Sequence, residues 1–235
     1  MNIILNSASA SATVVPSTII VFLPDVTEQH QEDVRNSFEF AARAATKQAS
    51  GIDYARWHRF FGVVLHNIHW FTVQVELVSL KFVHRLSFLV HLYFRSERAI
   101  RRPVLDVIHV SDSERHLASE ALRALQNPEN EEALLLFCDQ HPDSKAAKED
   151  VRRLFFGGGG EYIRSAKFQL TFCSEANGDV IASSFFIQLR SSRAEEVTID
   201  FHQHGLNTRL FERVRFPLKK KLEDSGESKQ ILVEY

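Results

Sequence analysis

Cysteine is scarce in this chain of 235 residues: only Cys138 and Cys173 occur. They lie far apart and form no CxxC, which argues against a disulfide framework and against a structural zinc knuckle. An excess of one charge is also lacking. The 28 Lys and Arg nearly balance 30 Asp and Glu, for a formal net charge of −2. No global electrostatic footprint for nucleic acid is present, and no nucleic-acid partner is expected. The first residues lack Lys and Arg, and the apolar run at Ile3, Ile4 and Leu5 is too short for a secretory signal. The most apolar stretch, Trp70 to Phe94, carries Glu76, Lys81 and Arg85, which argues against a constitutive transmembrane helix. Synthesis as a soluble protein is the expectation.

Catalytic signatures are missing as well. There is no GxSxG and no HExxH. The run Gly157-Gly158-Gly159-Gly160 is followed by Glu161-Tyr162, whereas a P-loop needs Lys-Ser/Thr there. It reads as a joint. Among 11 histidines, His66 and His69 are spaced i, i+3, and His202 and His204 share one face of a strand. Either pair has metal-ligand spacing, but neither has a third ligand at a known motif distance, so no metal site is assigned. A pH-sensitive role is the softer option, because histidine titrates near neutrality. No cofactor, small-molecule substrate or catalytic residue is assigned, and nothing recommends an enzyme.

What is abundant is phenylalanine, at 19 against four Tyr and two Trp. Phe rings fill a core without needing a hydrogen-bond partner. The pattern along the chain predicts one α+β domain. Residues 1–15 read as a flexible lead, and 16–235 as the domain, helical over about 25–156 and sheet over about 161–219. Thr18 to Leu23 is an apolar, β-branched run between prolines and predicts a buried strand. Asp25 or Thr27 then caps a helix to Gln48, with Val34, Phe38, Ala41, Ala42 and Ala45 along one face. Phe71, Val75, Val78, Phe82, Leu86, Leu89 and Tyr93 form an a/d stripe and predict a helix, although Val73, Val75 and Leu77 alternate.

Val104 to Val110 reads as a weak strand. Ser111 with Glu114 forms a capping box for a helix to Gln126. Asn127-Pro128 opens another helix to Asp139, and Asp143 or Ser144 a last one to Phe155.

After the glycines the period changes to two. Asn177-Gly178 is the strongest hairpin signal, because a type I′ turn needs φ > 0 at both central positions. Counting from that turn, Phe172 faces Ser183, Leu170 faces Phe185, and Phe168 faces Ile187. Turn and pattern specify one register. Val197 to Phe201 and Leu210 to Leu218 predict two more strands, the latter with Arg213 and Arg215 on its solvent side. The expected architecture is a mainly antiparallel sheet of C-terminal strands plus one N-terminal strand, covered by helices. Two basic segments remain: Arg95, Arg98, Arg101 and Arg102, and the cluster Arg209, Arg213, Arg215, Lys219, Lys220 and Lys221.

The run KFQLTFCSEANGDVIASSFFIQLRSSRAEEVTIDF (167–201), followed by LFERVRFPLKKKL (210–222), resembles the C-terminal strands of the Cyt-type cytolysins, a family of bacterial Cyt toxins and fungal volvatoxins. PSTIIVFL (16–23) is similar to that family's first strand. The resemblance covers the sheet region and not residues 52–156. It implies a water-soluble monomer or dimer that binds lipid bilayers. Helices move aside, and strands insert or assemble into homo-oligomeric pores, with no active site. Phe168, Leu170, Phe172, Phe185 and Ile187 are then the membrane-contact candidates. Arg209, Arg213, Arg215, Lys219, Lys220 and Lys221 are the candidates for anionic headgroups. The competing expectation is an intracellular α+β module that holds a protein partner and has no membrane activity.

Overall fold

The computed structural model describes residues 10–49, 54–82, 110–125, 127–137, 165–191, 195–225 and 231–232. The protein is α+β, and among the described residues one seven-stranded sheet has helices packed on both faces. The chain begins with β1 (Ser11–Val15) and β2 (Thr18–Phe22), joined at Pro16-Ser17 with Ser17 in a left-handed conformation, φ 61°. Helix α1 (Glu28–Ala49) and α2 (Tyr54–Asn67) follow, then β3 (Trp70–Phe82). Next come α3 (Asp112–Ala124), a 3-10 turn at Pro128–Asn130 and α4 (Glu131–Phe137). Strands β4 (Ser165–Ala176), β5 (Asp179–Ser191) and β6 (Glu195–Leu206) lead into α5 (Thr208–Asp224) and the short β7 (Ile231–Leu232).

Sheet order is β3-β6-β5-β4-β2-β1-β7. Every pairing is antiparallel except β2 with β4, which is parallel. The N-terminal strand thus joins the C-terminal strands, as the pattern predicts. Asn177 and Gly178 both have positive φ, 56° and 84°. The turn sets the expected register, with Phe172 opposite Ser183, Leu170 opposite Phe185 and Phe168 opposite Ile187.

Local chemistry explains the helix starts. Thr27 Oγ1 accepts from the His30 amide at 3.4 Å, and Glu175 Oε2 accepts from the Thr27 amide at 3.0 Å. Helix α1 is therefore capped and tied to the end of β4 at once. Ser111 and Glu114 form the full reciprocal capping box of α3. Asn127 Oδ1 accepts from the Glu129 amide at 3.2 Å, so the Asn-Pro signal does open helical structure, first 3-10 and then α.

Three expectations are overturned. Ser11–Val15 is not a lead but β1, and residues 12–15 are buried, because its amides pair with β2 on one side and β7 on the other. Trp70–Phe82 is a strand, not a helix, and its partner is β6. Backbone pairing along most of its length, together with β-branched side chains that fit the pleat, outweighs the heptad stripe. A Cβ on Gly205 would fall 2.3 Å from Phe71 Cζ, so the missing side chain lets the ring lie across β6. Finally, Leu210–Leu218 is not a strand but lies inside α5, so the sheet does not extend through 219. Asn207 caps α5 through Oδ1, which accepts from the Leu210 amide at 3.1 Å. Phe211, Leu218 and Leu222 are buried at helical spacing.

The expected strand at 104–109, the helix at 143–155, the glycine run, Cys138 and the arginines at 95–102 lie outside the described residues.

Each face of the sheet has its own core. Phe168, Leu170, Phe172, Phe185, Ile187 and Ile199 pack with α3 and α4. On the opposite face Ile20, Phe22, Ala182 and Phe186 pack with α1, α2, α5 and Trp70.

Candidate functional site

The five apolar residues singled out from the hairpin do share one face, and all five are buried. Their rings are in contact across the strands and with the helix above. Phe137 of α4 lies 5.5 Å from Phe168, Phe172 lies 6.1 Å from Phe185, and Phe185 lies 4.9 Å from Phe201 (centroid to centroid).

The alternate residues of the same strands are different in character. Thr18 Oγ1 donates to Gln169 Oε1 at 3.2 Å. Gln169 Nε2 donates to Thr171 Oγ1 and to Ser184 Oγ, each at 3.1 Å. Thr171 and Ser184 hydroxyls are 3.0 Å apart and hydrogen-bonded. All four side chains are buried, and the mutual bonds offset the cost of desolvating them. In register, Ser184 is opposite His202, and Ala182 is opposite His204. A row of polar groups therefore crosses β2, β4, β5 and β6 beneath the helices.

His58 of α2 meets the end of that row. Its ring is 3.8 Å from Phe186 and 4.2 Å from His202, and His202 stacks on His204 at 5.9 Å. His204 is only 4% exposed. Burial, and then the neighbouring His202 and His204, push His58 down to about 3. Burial, and then His202, push His204 down to about 4. Burial also lowers His202. The three imidazoles are accordingly neutral at pH 7.

The sequence shows the His202/His204 spacing, but not the third member. His58 belongs to α2, which comes into register with β6 only through the fold. The other pair does not share a helix: α2 ends at Asn67, and His69 sits at φ 70° in the turn to β3. Among the described residues no group of three His, Cys, Asp or Glu is arranged to hold a metal ion. Cys173 is buried, and burial drives its thiol pKa upward, so it is an inert core residue.

The six basic candidates all lie on α5 but have different tasks. Arg215 grips the buried Asp33 of α1 with two bonds of 2.8 Å. Lys219 Nζ donates to Glu32 Oε1 at 2.7 Å, and Lys221 Nζ lies 5.0 Å from the Phe40 ring centroid. These three fasten α5 to α1. Arg209, Arg213 and Lys220 are exposed and carry no ion pair among the described residues. With Phe216, which is 74% exposed, they are spaced i, i+4, i+7, i+11, opposite the buried Phe211–Leu218–Leu222 stripe. Phe71, Val73 and Val75 are also exposed, on β3 at one end of the strand order.

No helix among the described residues is long and apolar enough to cross a membrane. No family model, curated protein or solved structure matches the chain.

Proposed function

We propose that this chain is a non-enzymatic, membrane-active protein of the cytolysin type, which binds a lipid bilayer and inserts strands of its sheet. The observation that carries the reading is the two-faced meander β4–β5–β6. Its strands are 12, 13 and 12 residues long. About 9–11 tilted residues suffice to cross the hydrocarbon layer. One face is apolar, with Phe168, Leu170, Phe172, Phe185 and Ile187, and the other is mixed, with Gln169, Thr171, Ser184, His202 and His204 interleaved with Cys173, Ala182 and Phe186. In a soluble core a row of buried polar groups gains nothing over apolar ones. In a membrane the same alternation puts the apolar face toward lipid and the polar face toward a lumen. Every strand edge must be paired there, so several copies have to close one sheet.

The resemblance of residues 167–201 to the Cyt-type cytolysins supports the same reading, whereas residues 210–222, likened to a strand of that family, form α5 and add nothing to it. Docking is assigned to the outer face of α5. An exposed Phe216 between Arg213 and Lys220 suits an anionic lipid surface, with the ring at the interface and the cations on headgroups.

Dye release from liposomes tests the proposal. Leakage is expected from vesicles containing anionic lipid, and reduced leakage from the Phe216→Ala and Arg213→Gln/Lys220→Gln variants. No leakage at micromolar protein, at both neutral and acidic pH, sinks it. The exposed Phe71, Val73 and Val75 favour a second reading, a strand-adding protein-interaction module. That reading predicts a defined complex in pull-down and no vesicle binding.

A further inference from the structure

The contact between α2 and the sheet is made by Trp57 and Phe61 on Phe186 and, beside them, by the histidine cluster. His58 is set on both Phe186 and His202, and His202 continues to the buried His204. Three imidazoles within ring contact tolerate one another only while neutral, since like charges at this separation repel. Among the described residues none has a carboxylate in an ion pair with it to hold a proton. The side chains that meet the cluster from β5 are Ala182, Ser184 and Phe186, and the residues opposite it on β3 are Thr72 and Val75. From α2, Trp57 lies near Phe186, and Arg59 is exposed. Asp200 is the carboxylate on the same face of β6, and burial alone raises its pKa. His58 and His204 are the most strongly depressed, and they carry the greater part of the effect.

We propose that His58, His202 and His204 form an acid-sensitive latch: protonating them releases α2 from β5 and β6 and uncovers the polar face of the sheet. In the open state the rings are solvated and titrate near about 6.5. Protons therefore bind the open form first, and acid drives the opening. Each histidine that is neutral when closed and charged when open raises the opening constant by up to about tenfold per pH unit below that value. Two such groups give up to about a hundredfold between pH 6 and pH 5. The latch supplies the regulation that the membrane reading needs, but opening is measured without lipid, so the two fail separately.

Native-state hydrogen exchange, corrected for the pH dependence of intrinsic exchange, reads the opening of α2 against α3, which packs on the other face. From pH 7.5 to pH 5, α2 protection is expected to fall by at least tenfold more than α3 protection. The His58→Phe variant keeps a ring on Phe186 and is expected to lose up to about tenfold of that change per pH unit. In the unsubstituted protein, the imidazole nitrogen resonances of His58 and His204 are expected to keep the neutral signature at pH 6. Charged signatures at pH 6, equal loss in α2 and α3, or an unchanged slope in His58→Phe each overturn the latch. Acid opening with no dye release at any pH would keep the latch and remove the membrane reading.

Discussion

Thr13 sits in β1 with its hydroxyl buried and without a hydrogen-bond partner among the described residues. A buried hydroxyl left unpaired costs roughly 1–3 kcal/mol. Valine has the same shape and prefers strands. Thr13→Val is therefore expected to stabilise the protein by about 1 kcal/mol, read as a higher urea midpoint with an unchanged m-value. Contrast Thr171, equally buried but bonded to Gln169 and Ser184. Removing its hydroxyl orphans part of a network. Nothing in the residue type separates these two threonines, because the difference lies in what each meets after folding. The histidines make the same point. His202 and His204 are visible as a strand pair, whereas His58 joins them only once α2 has docked.

The tie between α5 and α1 belongs to the scale of elements. Arg215 is the main clamp, because its carboxylate partner Asp33 is fully buried. Arg215→Gln leaves that carboxylate without its cation, and the expected loss is roughly 2–3 kcal/mol, at the lower end for a buried pair because Arg215 keeps some solvent contact. Arg213→Gln on the outer face is expected to change stability by less than about 0.5 kcal/mol. Thermal or urea denaturation of the two variants separates a clamp from a surface charge. Sequence alternation placed both arginines on one solvent face of a strand. The period is too short to decide, since over a few residues alternation and helical spacing share positions, and Pro217 lies inside the helix, where a proline removes a backbone hydrogen bond. Helix α5 tolerates that proline while burying Phe211, Leu218 and Leu222. Strand β3 failed in the opposite sense, since a continuous apolar run satisfies both templates. The β4–β5 hairpin was legible because two independent signals, turn and alternation, fixed one register.

Two cores on opposite faces make the whole molecule unevenly sensitive to acid. The α3/α4 face is built from apolar side chains, whereas the α1/α2 face encloses His58, His202 and His204. Histidines whose folded pKa is depressed contribute stability that is fully present above the unfolded value near about 6.5. That contribution is lost as pH falls toward the folded values, which are about 3 for His58 and about 4 for His204. At pH 5 a fully buried site has given up roughly 2 kcal/mol, and a partly solvated one less. Asp200 opposes the trend slightly, because burial raises its pKa and its neutral form is favoured in the fold. The sum is expected to lower the urea-unfolding free energy by roughly 2–4 kcal/mol between pH 7 and pH 5, a large share of ordinary domain stability. A range above pH 5 keeps most carboxylate pairs intact, so a decline there reports the histidines. His204→Gln should flatten it by roughly half, whatever the substitution does to stability at pH 7. A flat profile in the unsubstituted protein would mean that the imidazoles titrate equally folded and unfolded, and would overturn this account of the α1/α2 face.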